Sequence, residues 1–134
     1  MTREIAIGPD RIGDDTDSYV IAEIGHNHQG DLEKCKALFR AAKECGANAA
    51  KLQKRDNRAL FTTEMYEAPY DNRNSYGETY GEHREFLEFG RDEYVALKDY
   101  AAEIGITFFS TAFDAPSADF LADLDMPAYK IASG

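Results

Sequence analysis

Four short apolar runs, each of strand length and each followed by a segment of different character, set the strongest limit on what this chain can fold into. They are YVIAEIG (19–25), NAAKLQ (48–53), ITFFST (106–111) and AYKIAS (128–133). All are rich in β-branched, aromatic or small apolar residues and are bounded by turn-forming ones, as buried strands are. Between the first two lies DLEKCKALFRAAKECG, where Leu32, Cys35, Leu38, Phe39, Ala42 and Cys45 recur at helical spacing, with Asp31 placed to cap the start and Gly46 the end. RDEYVALKDYAAEIG repeats the pattern through Tyr94, Leu97, Ala101 and Ile104 and stops at Gly105. DAPSADFLADLDMP predicts a third, shorter helix capped by Asp114, with Pro116 in its first turn. Strand, helix, strand with short links implies a parallel sheet with right-handed crossovers, the α/β class.

Two stretches break this rhythm. REIAIGPDRIG, within residues 1–17, reads as a small hairpin turning at Pro9 and Asp10, which in a closed barrel would plug the N-terminal end. Residues 54–90 are polar, aromatic and punctuated, and a connection of that length in a compact domain is usually a lid or binding loop. Its tyrosines at 66, 70, 76 and 80 argue against plain disorder; the segment is read as a long active-site loop, with a partly helical surface insertion without chemistry as the alternative. At 134 residues the chain has the size of one domain.

Charge narrows the partners. The formal net charge is -10 and no cluster of lysines or arginines forms a basic stripe, so nucleic acid and anionic membrane are not expected partners. A small anion could still be held, provided a few cations are concentrated locally. Cys35 and Cys45 lie on one predicted helix with Cα atoms about 15 Å apart, too far for a disulfide, so both are read as thiols. With a charged N-terminus and no apolar run approaching 18 residues, the cytoplasm is the expected location.

Alternation along the strands then picks out chemistry. Residues two apart share a face, which groups Ile21 with Glu23, Ala49 with Lys51 and Gln53, Thr107 with Phe109 and Thr111, and Ala128 with Lys130. Each set carries a polar residue at or near the C-terminal end of its strand, where parallel α/β proteins bind ligands. Lysine is seldom buried unpaired, so Lys51 and Lys130 each call for an anionic partner, either a carboxylate such as Glu23 or a bound phosphate or carboxylate. Ser110, Thr111 and Ser133, the last before a glycine turn at Gly134, could complete such a site through charge-assisted hydrogen bonds. After the first strand, GHNHQGD offers His26, Asn27 and His28; no cysteine or carboxylate stands nearby at metal-site spacing, so these are read as loop residues that hydrogen-bond ligand or backbone.

IAEIGHNHQGDL, KLQ, FFSTAFD and YKIASG, in this order and spacing and together with TYGEHRE in the long connection, resemble the sialic acid synthase family, the N-acylneuraminate synthases. The resemblance implies a (β/α)₈ barrel that condenses phosphoenolpyruvate with the open-chain aldehyde of an N-acyl hexosamine such as N-acetylmannosamine, giving a nine-carbon keto acid and phosphate. It implies further that Lys51, Thr111, Lys130 and Ser133 contact phosphoenolpyruvate, that Gln53 contacts the sugar, and that Glu23 is an active-site carboxylate. Glu23 could position water for attack at C2 or relay a proton. Asn74, Tyr80, His83 and Arg84 stand where a lid over the sugar would be.

A barrel of this kind takes about 250 residues. Only four of eight strands are expected here, with the antifreeze-like domain of the family absent and its divalent metal, manganese or magnesium, held by ligands beyond residue 134. No metal ligand is assigned within the chain. The expectation is therefore the N-terminal part of a longer enzyme, inactive alone, whose uncovered sheet edges favour homo-oligomers or pairing with the missing half. Alternatives are another phosphoenolpyruvate aldol synthase, of the heptulosonate or octulosonate phosphate type, or a non-catalytic anion-binding half-barrel.

Overall fold

The four strand-like runs all form strands, and they line up in the order of the chain. The computed structural model describes residues 2–133, so the turn anticipated at Gly134 lies outside the described residues. β1 (Glu4–Ile7) and β2 (Asp10–Gly13) make an antiparallel hairpin; β3 (Ile21–Gly25), β4 (Ala49–Lys54), β5 (Thr107–Ala112) and β6 (Tyr129–Ile131) make a parallel sheet in the order β3-β4-β5-β6. The crossovers contain α1 (Leu32–Glu44) between β3 and β4, α5 (Arg91–Ile104) before β5, and α6 (Ala115–Asp123) before β6. This is the α/β arrangement that strand and helix alternation predicts.

Local sequence explains where each helix starts and stops. The Asp31 carboxylate accepts the Lys34 N–H at 2.9 Å, and the Asp114 carboxylate accepts that of Ser117 at 2.8 Å. α5 ends on Gly105 in the left-handed conformation, and the Lys43 ammonium donates to the Gly105 carbonyl at 2.7 Å, placing a cation at the negative end of that helix.

The core lies between the helices and one face of the sheet. Ala50, Leu52 and Phe108 point from the strands towards Cys35 and Phe39 of α1, Tyr94, Leu97 and Ala101 of α5, and Leu121 of α6. Phe39 and Phe108 meet edge to face with ring centres 5.1 Å apart. The opposite face carries Lys51, Gln53, Phe109 and Thr111. β3 and β6 are the sheet's edges and leave Ile21, Tyr129 and Ile131 exposed.

Two expectations are revised. The hairpin turns at Gly8 and Pro9 rather than at Pro9 and Asp10, because Asp10 pairs with Ile7 as the first residue of β2. Gly8 sits at φ +57°, and a Cβ there would lie 3.0 Å from the Thr107 hydroxyl, so the turn is pressed against the N-terminal end of β5. Residues 54–90 are not a single long loop: they form α2 (Asn57–Leu60), α3 (Thr63–Glu67) and α4 (Tyr80–Leu87), with an isolated bridge between Pro69 and Thr79. Asp56, Thr62 and Thr79 cap the three helices, and Thr79 with Glu82 completes a capping box. Among the described residues no helix is long and apolar enough to cross a membrane.

The thiols are separated by burial. Cys35 is enclosed and burial pushes its thiol up to about 12, whereas Cys45 is exposed at the end of α1. Iodoacetamide at pH 8 is expected to add one carboxamidomethyl group to the native chain, at Cys45, and two after unfolding in urea, read by intact mass. Modification of Cys35 at a comparable rate in the native state would contradict this packing.

Candidate functional site

Parallel register places the polar residues of neighbouring strands side by side. Glu23 stands opposite Lys51, and Gln53 opposite Thr111. Lys51 is only 8% exposed. Its ammonium is paired with the Glu23 carboxylate and donates to the Thr111 hydroxyl oxygen at 2.5 Å. The Gln53 amide donates to the other Glu23 oxygen at 3.1 Å. An ammonium has three N–H donors, of which these partners use two, so one remains for a ligand.

Glu23 itself is half exposed, with 46% of its side chain accessible, so it links a buried cation to solvent. Its position depends on Gly25. The ladder between β3 and β4 shifts register between Glu23 and Gly25, and Gly25 sits at φ +55°. A Cβ at Gly25 would lie 3.2 Å from a Glu23 carboxylate oxygen and 3.3 Å from the Gln53 amide nitrogen. Glycine therefore provides both the bulge and the room for the Glu23–Gln53 contact.

The other predicted site residues fall elsewhere. Lys130 is in register with Thr111, yet its ammonium turns to the Ile131 carbonyl and lies 3.4 Å from the Ser133 hydroxyl. The two lysines thus head separate groups, Lys51 with Glu23 and Thr111, Lys130 with Ser133. β6 is a three-residue edge strand exposed throughout, so no packing steers its side chains. Ser110 does not belong with either group. Alternation turns it to the helix side, where it is fully buried and bonded to the Tyr94 hydroxyl at 3.1 Å. Burial holds that phenol above its ordinary range.

Of the residues expected to touch a ligand from loops, His28 and His83 are buried, Tyr80 and Arg84 half-buried, and Asn27 and Asn74 exposed. The Asn27 amide donates to the Ile24 carbonyl at 2.8 Å and closes the turn after β3. His28 is buried, stacked on Phe89 with ring centres 4.0 Å apart, and its Nδ1 accepts the Gly30 N–H at 3.0 Å. This corrects its reading as a loop contact: the imidazole fills the core. Asn74 is exposed, its backbone N–H donating to the Asn72 side chain. Tyr80 packs against Phe61 and Tyr70, His83 is buried against Tyr70 and Tyr76, and the Arg84 guanidinium lies 5.7 Å from the Tyr80 ring centre. These three side chains brace the 54–90 segment internally.

Sequence reasoning missed the charge network beneath this segment. Glu88 accepts the Lys54 ammonium at 3.1 Å and the Arg55 N–H at 3.0 Å, and its second oxygen lies 3.5 Å from His26 Nε2. Burial by itself would raise the Glu88 carboxyl, but His26, Lys54 and the Arg55 amide outweigh it and hold the group below the usual carboxylate range. A legible signal existed: a charged residue between Leu87 and Phe89, both buried. Among the described residues no three His, Cys, Asp or Glu side chains are grouped so as to hold a metal ion. The divalent metal that the resemblance implies is expected to take its ligands beyond residue 134.

His28 gives a pH signature. Burial, reinforced by the neighbouring His26, lowers its pKa to about 4, against about 6.5 in an unfolded chain. Between those values the unfolded state binds more protons, so stability falls as pH drops from about 6.5 towards 4. Thermal midpoints at pH 7.5, 6 and 5 are expected to decline more steeply for the native sequence than for His28→Gln. Parallel curves would show that His28 is already charged in the fold.

Comparison with known proteins adds to this geometry. The family model described as the NeuB family matches residues 38–134. The N-acetylneuraminate-9-phosphate synthase of Homo sapiens is 44% identical across the whole chain, and the N,N'-diacetyllegionaminic acid synthase of Legionella pneumophila is 39% identical over 87% of it. The chain spans 38% and 33% of the length of these two relatives. Among solved structures, the N-acetylneuraminic acid synthetase of Leptospira borgpetersenii, in complex with citrate, superposes with a TM-score of 0.75 at 30% identity, covering 98% of this chain and 41% of that one. The spore coat polysaccharide biosynthesis protein SpsE of Bacillus subtilis gives 0.71 at 32% identity, covering 98% and 34%. Both are TIM-barrel proteins, and the four parallel strands with their helices and hairpin are the first half of such a barrel.

Proposed function

The chain belongs to the NeuB family, and from that membership we propose that it carries the phosphoenolpyruvate-binding part of a sialic acid or related nonulosonic acid synthase. The observation that carries this reading is Lys51, a buried ammonium within β4 on the inner sheet face with one donor to spare. Phosphoenolpyruvate presents a carboxylate and a phosphate. Burying either group requires cations and hydroxyl donors together, because an unpaired buried charge is heavily penalised.

In the proposed complex one acidic group of phosphoenolpyruvate takes the free N–H of Lys51 and the hydroxyl of Thr111. Lys130, in register with Thr111 and exposed, swings from the Ile131 carbonyl to the other group, joined by the exposed Ser133 hydroxyl. Gln53, adjoining Glu23, faces the N-acyl hexosamine. C3 of phosphoenolpyruvate then attacks the aldehyde carbon; negative charge grows on the aldehyde oxygen, where fixed cations on the inner sheet face favour it over the ground state, while C2 becomes electron-poor and open to water. Water adds at C2 and inorganic phosphate leaves, which yields the nine-carbon keto acid. Glu23, solvent-accessible and bonded to Lys51, is placed either to orient that water or to take its proton.

We propose that the chain alone binds phosphoenolpyruvate without turning it over. Calorimetry is expected to show binding that Lys51→Ala abolishes and Lys130→Ala weakens by roughly tenfold, as loss of one charged hydrogen bond does. Equal affinity in the parent chain and Lys51→Ala would sink the assignment.

A further inference from the structure

Away from the Lys51 group, a cavity of about 310 Å³ opens between the end of β4, α4 and the first turn of α6. Three of its lining side chains are buried and lack partners. Arg55 is 7% exposed with Nη1 unpaired, Asn57 is 2% exposed with both Oδ1 and Nδ2 unpaired, and Ser117 is 1% exposed with Oγ unpaired. Buried polar groups are almost always satisfied, and three such residues around one space mark a site built for an occupant.

The chemistry of the occupant follows from charge. The Arg55 guanidinium carbon lies over the Phe113 ring, 3.6 Å from its centre, a cation–π contact that positions the group and uses none of its N–H donors. Among the described residues no carboxylate lies within ion-pair distance of it. Burial first and then the like charge of Arg84, whose buried Nε is also unpaired, lower the Arg55 pKa, and Glu88, Tyr80 and Asp114 oppose this without reversing it. Of the other charged groups on the cavity wall, Lys54 is held by Glu88. Asp56 and Glu85 are exposed and already accept from the Ala59 N–H and the Tyr66 hydroxyl. Water screens those two carboxylates far more than it screens the enclosed guanidinium, so the interior of the cavity favours an anion.

Planar guanidinium, amide and hydroxyl donors suit tetrahedral oxyanions, and a protonated phosphate oxygen supplies the donor that Asn57 Oδ1 lacks. We propose that this cavity is a second oxyanion site, independent of the Lys51 group, that takes a phosphate or phosphomonoester. At about 30 Å³ per water-sized group, the space accepts a phosphate with some of its hydration retained.

Calorimetric titration of the chain with inorganic phosphate tests this, using Arg55→Met, Ser117→Ala and Lys51→Ala, with folding checked by the tyrosine circular dichroism. Binding is expected to weaken tenfold or more in Arg55→Met, to weaken also in Ser117→Ala, which removes one unpartnered oxygen and little else, and to persist in Lys51→Ala. Phosphate binding that Lys51→Ala abolishes and the other two leave intact would support the proposed function and overturn this site. No phosphate binding, or binding indifferent to Arg55 and Ser117, would show that water alone fills the cavity. A parallel titration with N-acetylmannosamine 6-phosphate separates the sources. Tighter Arg55-dependent binding than for inorganic phosphate assigns the site to a sugar phosphate, and weaker binding assigns it to the free ion.

Discussion

Lys51 is the constraint around which the inner face of the sheet is arranged. A nearly enclosed lysine ammonium needs hydrogen-bonding and charged partners, and strand register delivers two to it. Glu23 arrives from β3 and Thr111 from β5, each the neighbour that parallel pairing dictates. Gly25 then has to be a glycine, since the carboxylate needs both the bulge and the space. The site is thus a consequence of strand order: with any other strand beside β4, Lys51 would lack its acid or its hydroxyl.

A second set of charges holds the connection that rises from β4. Glu88 gathers Lys54, the Arg55 amide and His26, and Lys54 also donates to the Phe89 carbonyl while facing the Phe120 ring at 4.8 Å. One carboxylate therefore ties the end of β4 to the start of α5 and to the loop after β3. Removing it would strand an ammonium and an amide in a low-dielectric space, a larger loss than the deletion of a surface ion pair. Because Arg55 is held by its backbone in this network, its guanidinium can remain unpaired and aimed into the neighbouring cavity.

The strands and the three long helices were legible because burial on two faces and on one face leaves different periods, and because Asp31, Asp114 and Gly105 mark helix ends with specific chemistry. Glu23, Lys51 and Thr111 were legible from alternation alone. Ser110 shows how the same rule can be misapplied: adjacent to Thr111 in sequence, it faces the opposite side and spends its hydroxyl on Tyr94. The 54–90 segment was harder because its helices have four, five and eight residues, too short for an apolar period to emerge. Only caps announce them, and Thr79 with Glu82 was readable as one. His28 was misplaced because a histidine in a polar loop motif gives no sign that a phenylalanine 61 positions later will stack on it.

An acidic chain that binds an anion does so by exchange. Every cation on the inner face already has an oxygen partner, Glu23 for Lys51 and the Ile131 carbonyl for Lys130, so an incoming phosphate or carboxylate gains only the difference between its own contacts and those it displaces. The two lysines differ in what they give up. In the proposed complex Lys51 keeps Thr111 and shares its third donor, whereas Lys130 breaks a contact with the Ile131 carbonyl on an exposed edge strand and regains it when the ligand leaves. On that proposal affinity resides mainly in Lys51, which is preorganised, while Lys130 tunes release. That asymmetry follows from position in the sheet: β4 is paired on both sides and β6, among the described strands, on one.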